Sequence, residues 1–391
     1  MLDIKKILSR SWHILWTYRL LWVFGFILAL GAGGSNLGSN SNYSVSGEQN
    51  TPPSEYQFPE DWHGLEGDTF AQKMNDAFRQ LGEGMERLQE QYPVEFRMGV
   101  AAMITFFVVI LLFGTVVAVL RYAAETATIR MVDEYERSEV KVRFRQAWKY
   151  GWNRDAWRLF LVNFLVNLPG LVLFVVLALI GWWIISALIG GVQWAIISSL
   201  IAGSGLAFLS IFLTVILQTF LYVLRDFAWR MIVLETAGVR ASLRMAFELV
   251  RRQWKNVGLM WLVVVGLKIA WGIAFIILVF PLLIVSLITA FGGVLAAIIP
   301  ALLTAGFASL LAAPEYWPWI FAAIIVGPFF LIVAFSPLLL VSGWGEVFKS
   351  SVWTLTYREL KALQAITPEA DEPKLLEPPT GEGGEQDPSG Y

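Results

Sequence analysis

Lys268 is the residue whose type and position most directly suggest chemistry. It is the only charged residue between Lys255 and Glu315 in a chain of 391 residues that is 57% hydrophobic. It follows Lys255 by 13 positions, which corresponds to about 20 Å along a helix. A charge near the centre of a membrane is costly and indicates function by default. Two alternatives stay open: Lys268 snorkels, or Trp261 marks the interface and Lys268 lies at a shallower level.

Four other polar residues share these apolar surroundings. They are Asn163, Asn167, Gln193 and Gln218. They either form hydrogen bonds between helices or line a polar path together with Lys268. No acidic residue in a neighbouring apolar segment is an obvious counter-ion for Lys268. Its expected partner is therefore water in a crevice or the headgroup of an anionic lipid.

The composition predicts neither a catalytic nor a metal-binding set of residues. The chain has no cysteine and two histidines, His13 and His63, which excludes disulfides, thiolate metal sites and cysteine nucleophiles. No HExxH zinc motif and no phosphate-binding glycine loop occurs. The sequence therefore predicts no enzyme, no cofactor and no metal site. The membrane already explains the positions of the basic residues, so nothing supports nucleic-acid binding.

Apolar helices must position these polar residues. Only 15% of the residues are charged, compared with about 25% in soluble domains, and long apolar runs recur. We therefore predict an all-α, polytopic membrane protein of about six spans, with eight as the alternative. The apolar connections at 181–200 and 282–312 could be re-entrant, interfacial or spanning. Two long spans with a short interfacial or re-entrant helix fit 159–224 best.

Three basic segments precede apolar runs. They begin with "IKKILSRSW" at Ile4, "VKVRFRQAW" at Val140 and "SLRMAFELVRRQW" at Ser242. Each is predicted to form an amphipathic helix in the membrane interface, worth roughly 1 kcal/mol per cation near anionic lipid. The cations expected to contact lipid headgroups on the cytoplasmic side are Lys5, Lys6, Arg10, Lys141, Arg145, Lys149, Arg244, Arg251, Arg252 and Lys255. These contacts serve either anchoring alone or a lipid-sensing or membrane-shaping role.

Internal similarity indicates repeated units. "GGVQWAIISSL" at Gly190–Leu200 matches "GGVLAAIIPAL" at Gly292–Leu302 with an offset of 102 residues. Three apolar runs also end alike, in "LRYAAETATIRM", "LRDFAWRMIVLE" and "FKSSVWTLTYRELK". The predicted division is 1–32, basic helix and first span; 33–96, insertion; 97–138, second span and exit; 139–238, repeat unit two; 239–361, repeat unit three; and 362–391, tail.

The distribution of charge predicts the orientation. The stretch 121–158 carries nine Lys or Arg, whereas 33–97 carries four together with eleven Asp or Glu. By the positive-inside rule, both termini are cytoplasmic in a plasma membrane and 33–96 is extracytoplasmic. The tail 362–391 is predicted to be disordered. The first span is expected to be retained, although cleavage as a signal peptide is the alternative.

The insertion contains one predicted helix, 68–91. Its apolar residues follow heptad spacing, and Pro93 ends it. Such a helix either rests on the membrane or on the other units, or binds a protein partner or a second copy of the chain.

Several segments resemble a known family. "SLRMAFELVRRQWKNVGL" and "SVWTLTYRELK" resemble segments of the polytopic membrane domain attached to some bacterial glycerophosphodiester phosphodiesterases and of its stand-alone, uncharacterised relatives. The opening "RLLWVFGFILALGAGGSN" is similar to the start of such stand-alone proteins. The resemblance covers residues 1–30 and 139–361 and implies a fold rather than an activity. The catalytic motifs of the phosphodiesterase do not occur in this sequence, so no catalytic residue is carried over.

The sequence leads to two functional hypotheses. The first is a non-enzymatic scaffold that interacts with lipid or organises the membrane. The alternative is a transporter or channel with a polar path near Lys268, since duplicated units also occur in transporters. Water access to the polar residues distinguishes the two hypotheses.

The cysteine-free chain allows the topology to be tested directly. We expect Ser44→Cys and Glu315→Cys to react with a membrane-impermeant maleimide in intact cells. Ser138→Cys and Ser389→Cys should react only after the cells are opened, because both lie on the predicted cytoplasmic side. Any other pattern of labelling would contradict six spans.

Overall fold

The computed structural model describes residues 3–35, 76–189 except for 77, 78, 81 and 88, 192–310 and 316–366. Within these ranges the chain is helical and contains no strand. The described residues of 76–91 are helical, and 68–75 of the predicted insertion helix lies outside the described part. The other helices are α1 (Ile4–Thr17), α2 (Leu20–Ser35), α3 (Pro93–Ser138), α4 (Phe144–Gly151), α5 (Arg154–Ile189), α6 (Gln193–Glu235), α7 (Val239–Arg252), α8 (Trp254–Ser309), α9 (Trp317–Ala334) and α10 (Ser336–Ile366).

Five of these helices are long and apolar enough to cross a membrane. They are α3, α5, α6, α8 and α9. The pair α1 and α2 is bent by 101° and adds a sixth candidate span if it counts as one broken span. A crossing needs about 20 apolar residues, which each of the five contains or closely approaches. The predicted class, an all-α polytopic protein of about six spans, is confirmed, and the alternative of eight has no support in the described residues.

Each basic segment forms a short helix that leads into a longer one: α1 precedes α2, α4 precedes α5, and α7 precedes α8. In α1, the side chain of Asp3 caps the first turn by accepting from the backbone N–H of Lys6 at 3.0 Å. In α7, Ser242, Ala246 and Leu249 are buried, at a spacing that places them on one face. The basic segments thus pack against the bundle through narrow faces.

The core lies at the end of the molecule that carries these short helices. It combines the last parts of α3, α6 and α10 with the first parts of α5 and α8, and α1, α2, α4 and α7 surround them. Beyond this core the spanning windows of α3, α5, α6 and α8 are at most 6% buried. Phe174, Phe208 and Phe280 are each more than 70% exposed there. Such uncovered apolar surface suits contact with lipid chains.

Two glycines allow α2 and α10 to pack at backbone contact. A Cβ atom on Gly343 would lie 2.5 Å from the carbonyl carbon of Gly25, and one on Gly25 would lie 2.7 Å from the carbonyl oxygen of Gly343. Small residues at helix crossings are typical of membrane proteins, where packing rather than hydrophobic exclusion holds helices together. The position of α2 in the bundle therefore depends on this pair.

The structure corrects the prediction for 159–224. α5 runs continuously to Ile189 and α6 begins at Gln193, so the described residues of this stretch contain no separate interfacial or re-entrant helix. The prediction was wrong because parts of both helices, such as Leu159 and Val223, belong to the core and use the length assigned to a third element. The second open connection is also part of a helix, since α8 continues through Pro281 and Pro300 to Ser309.

The same substitution, glycine to alanine, should have opposite effects on stability at two positions. Gly343→Ala should lower the free energy of unfolding of the detergent-solubilised protein by roughly 1–3 kcal/mol, because the new methyl group overlaps the backbone of α2. Gly258→Ala in α8 meets nothing within 4 Å, so it should be neutral or stabilise by up to about 1 kcal/mol through helix propensity. Equal melting temperatures for the two variants would show that the close crossing does not form.

Candidate functional site

The main cavity of about 660 Å³ opens beside the core. Its walls come from α2, α3, α5, α6, α8 and α10. Its polar lining residues are Arg121, Tyr122, Asn163, Asn167, Tyr222, Arg225, Asp226, Lys268, Glu346 and Lys349. Volumes of this order are typical of small-molecule sites.

The cavity carries excess positive charge. Its lining has four cations and two carboxylates, which leaves a net charge of plus two. Three of the cations, Arg121, Arg225 and Lys349, stand where α3, α6 and α10 change from apolar to charged sequence. These helices belong to three different parts of the chain, so tertiary packing brings the charges together.

Arg225 is held in a fixed orientation. Its guanidinium donates to Oδ1 of Asn163 at 3.1 Å and pairs with the carboxylate of Asp226 at 3.3 Å. It also stacks over the rings of Tyr222 and Trp229, at 4.9 and 4.6 Å from their centroids. A planar cation held from several directions loses little entropy when it binds a further group.

Arg121 is positioned by a glycine on α2. Its Nη1 donates to the carbonyl oxygen of Gly31 at 2.8 Å. The stem of Arg121 occupies the space beside this glycine, because a Cβ atom on Gly31 would lie 2.6 Å from Cδ of the arginine. Gly31 therefore allows the arginine to cross α2 and line the cavity.

Lys268 faces the cavity without a direct partner. Lys349 pairs with Glu346 at 2.6 Å, but no described side chain forms a hydrogen bond or a salt bridge with the ammonium group of Lys268. Lys268 interacts electrostatically with Asp226 and Glu346 and is opposed by Lys349 and Arg225. The sequence had offered no obvious counter-ion, whereas the structure supplies two carboxylates that serve several cations at once.

The structure brings most of the polar residues singled out in the sequence to one place. Lys268, Asn163 and Asn167 line the cavity. Gln218 donates to Oδ1 of Asn167 at 3.3 Å and to the carbonyl oxygen of Val166 at 3.1 Å, so it joins α5 to α6. The side chain of Gln193 lies outside the described part. The residues that sequence reasoning missed are Arg121, Tyr122, Tyr222, Arg225, Asp226, Glu346 and Lys349.

Lys268 lies at the level of the fold where charged residues begin on the neighbouring helices. It shares the cavity with Arg121, Arg225 and Lys349, which mark the ends of apolar runs rather than their middle. One face of the preceding turns of α8 packs in the core, because Val257, Met260 and Val264 are at most 3% exposed. The other faces are open, since Leu259 and Leu262 are 50% and 63% exposed.

A buried polar network lies about one helical turn beyond the cavity. Arg230 is 1% exposed and donates to the backbone carbonyl oxygens of Asp226 at 2.6 Å and Ser350 at 3.2 Å. The hydroxyl of Ser350 donates to Glu125 at 2.8 Å, and Glu125 lies 3.8 Å from Arg230. The network joins α3, α6 and α10, the same helices that carry the cavity arginines and Lys349.

The far ends of these helices are also tied together. Arg358 on α10 pairs with Asp133 on α3 at 2.8 Å, and Glu235 on α6 accepts from Tyr357 and Lys361 on α10. Burial, followed by the hydrogen bond to Glu235, raises the pKa of Tyr357 well above its usual range. The phenol therefore stays a neutral donor, and the three helices are connected on both sides of the buried network.

The cations predicted to contact lipid differ in their surroundings. Arg10 pairs with Glu136 at 2.9 Å and Glu139 at 3.1 Å, and Arg244 pairs with Glu248 at 3.0 Å. The other eight predicted cations are exposed: Lys5, Lys6, Lys141, Arg145, Lys149, Arg251, Arg252 and Lys255. Among the described residues, no three His, Cys, Asp or Glu side chains lie together in a way that could hold a metal ion.

Comparison with known proteins assigns the chain to a family. A family model described as "Family of unknown function (DUF7544)" matches residues 10–367, so the chain belongs to this family. The match includes every residue that lines the cavity. No curated protein and no solved structure matches the chain.

The buried network makes a testable prediction. Arg230→Met should destabilise the detergent-solubilised protein by about 3 kcal/mol, because it leaves Glu125 charged in the core. The double variant Glu125→Gln/Arg230→Met should recover part of this loss. Arg244→Met breaks an exposed pair of similar type and should cost less than about 1 kcal/mol. Additive losses in the double variant would refute the coupling between Glu125 and Arg230.

Proposed function

We propose that this family member is a non-enzymatic, multi-pass plasma-membrane protein that binds a phosphate-type anion in its cationic cavity, the anion being the headgroup of a membrane lipid. The observation that carries the proposal is the convergence of Arg121, Arg225, Lys268 and Lys349 on one cavity with two carboxylates. The resemblance to the membrane domains of glycerophosphodiester phosphodiesterases stays a prediction and contributes no residue to this function.

The chemistry of the cavity suits an oxyanion. Arginine presents several N–H donors in a plane, which match the oxygens of phosphate or carboxylate, and lysine adds a mobile point charge. Lys268 has its ammonium group available, and Arg225 is already oriented by Asn163 and Asp226. An anion between them would balance the excess positive charge and replace water as a partner for Lys268.

The level of the cavity supports a lipid headgroup as the source of the anion. The cavity lies where the apolar runs of α3 and α6 end, and headgroups occupy that level in a bilayer. Exposed cations of α4 and α7 lie at the same end of the bundle. On α7, Phe247 is 45% exposed while Ala246 is fully buried, which supports an amphipathic helix in the interface on the cytoplasmic side.

Repeated units supply a rationale for the cavity. The cations Arg121, Arg225 and Lys349 occupy the same place in the three similar exit segments. Asn167 and Lys268 stand at nearly the offset that relates the two Gly-Gly motifs, and both line the cavity. We infer that duplication placed equivalent polar positions around a shared centre.

A second candidate function is a transporter or channel. It is favoured by the observation that Lys268, Asn163 and Asn167 line one cavity instead of lying on separate surfaces. The maleimide reaction of Lys268→Cys separates the two functions. Labelling from outside intact cells would favour a path through the membrane. Labelling confined to opened cells, or no labelling while control cysteines react, would favour the headgroup site.

Lipid binding to the full chain tests the proposed function. In native mass spectrometry, dioleoyl phosphatidylglycerol should bind more tightly than dioleoyl phosphatidylcholine. Lys268→Met should weaken phosphatidylglycerol binding about tenfold, the effect of one charge-assisted hydrogen bond. Lys268→Arg should retain binding, and Lys255→Met, which removes an equal charge from the same helix outside the cavity, should leave the affinity nearly unchanged.

Two results would change this assignment. Equal phosphatidylglycerol affinity of the original chain and Lys268→Met would overturn the site. If inorganic phosphate raised the melting temperature of the original chain but not that of Lys268→Met, and the two lipids bound equally, the ligand would be a soluble anion. The transporter would then replace the lipid-binding function.

A further inference from the structure

A second cavity of about 370 Å³ lies between α8 and α10. It shares Val264, Lys268, Glu346 and Lys349 with the main cavity, so the two spaces meet at the charged residues. The remaining lining is mainly apolar or small and includes Leu267, Trp271, Gly272, Phe275 and Phe348. We call this second cavity the α8–α10 groove. Together the two cavities form one site with a charged part and an apolar part.

Two glycines shape the groove. A Cβ atom on Gly345 would lie 2.6 Å from Nε1 of Trp271, so the indole rests directly against α10. A Cβ atom on Gly272, one residue further along α8, would meet nothing within 4 Å. Gly272 therefore faces open space along the groove, and a larger side chain at this position would enter that space without a backbone clash.

The corresponding gap between α5 and α6 is closed by polar side chains. Gln218 and Tyr222 on α6 approach Oδ1 of Asn167 on α5 at 3.3 and 3.5 Å. At the related position on α8, Lys268 makes no such bond to α10, and the groove is present instead. Polar side chains thus bridge α5 to α6 at this level, whereas the described residues show no such bridge from Lys268 to α10.

We propose that the α8–α10 groove receives the acyl chain of an anionic lipid whose headgroup lies in the main cavity. The inference rests on the proposed function and identifies its ligand as an intact lipid that reaches the site sideways, between α8 and α10. A phosphate group beside Lys268 and Lys349 would direct the attached chain toward Trp271 and Phe275, because the two cavities join at these cations.

The surroundings favour an acyl chain over other occupants. One wall of the groove, α8, is apolar enough to span a membrane, where lipid chains are the abundant apolar molecules. Water gains few hydrogen bonds beside Leu267, Trp271 and Phe275. A free anion would occupy the charged part alone and would leave the apolar part unused.

Photocrosslinking tests the inference. The full chain is placed in nanodiscs of phosphatidylcholine with phosphatidylglycerol that carries a diazirine in the middle of one acyl chain. After illumination, modified peptides should include residues 264–275 and 342–348, which line the groove. Gly272→Leu should reduce labelling of these peptides about tenfold, because the leucine fills the groove.

Gly266→Leu is the matched control. It lies on the same helix, meets nothing within 4 Å, and lines neither cavity, so labelling should remain at the level of the original chain. The melting temperature of both variants verifies that each is folded. Unchanged labelling in folded Gly272→Leu would overturn the position of the acyl chain.

Headgroup binding is measured separately, so the two proposals can fail independently. Thermal stabilisation by inorganic phosphate reports on the main cavity, and we expect it to persist in Gly272→Leu and to fall in Lys268→Met. Loss of groove labelling in Lys268→Met would support a headgroup that anchors the chain. Equal labelling by diazirine phosphatidylcholine, unaffected by Lys268→Met, would show that the groove takes any lipid chain and would overturn the linked site. If inorganic phosphate stabilised the protein but the groove peptides were not labelled, the anion site in the main cavity would stand and the acyl-chain site in the groove would be overturned.

Discussion

The packing of the helices depends on a buried ion pair that lies where the apolar stretches of α3 and α6 end. Arg230 and Glu125 are almost inaccessible, and neither can remain charged there without a partner on another helix. Ser350 supplies the third contact from α10. Three helices from distant parts of the sequence are thereby tied at one level. The part of the main cavity wall that these three helices form, about one turn away, depends on that connection.

The main cavity and the buried network differ in how their charges are balanced. In the network, Arg230 is paired with one carboxylate, Glu125, and donates to two backbone carbonyl groups. In the cavity, four cations share two carboxylates, and the tightest pair, Lys349 with Glu346, uses one of them. A balanced set stabilises a fold, whereas an incompletely balanced set beside open space attracts an oppositely charged ligand. The buried network lies on the same helices as three of the cavity cations and so helps to hold them in position.

The sequence predicted the helical class and the approximate number of spans, because these follow from hydrophobicity. It also singled out Lys268, Asn163 and Asn167 as isolated polar residues, and all three line the main cavity. It did not predict the cavity. Arg121 and Arg225 stood at the ends of apolar runs, where positive charge already had an explanation in membrane orientation. Their convergence depends on helix packing, which no local pattern encodes. The prediction of an extra helix between α5 and α6 was wrong for a related reason. The length of an apolar run does not reveal how much of it belongs to the core.

The two sides of the main cavity differ in how their helices are joined. On one side, Asn167 is held by Gln218 and Tyr222, and α5 and α6 are closed against each other. On the other side, Lys268 has no direct partner among the described residues, and the α8–α10 groove is open. An amide can satisfy neighbouring polar groups as both donor and acceptor, whereas an ammonium only donates and repels the nearby cations. The lysine at this position therefore adds one positive charge to the site and forms no bridge between helices like the one that Asn167 forms between α5 and α6.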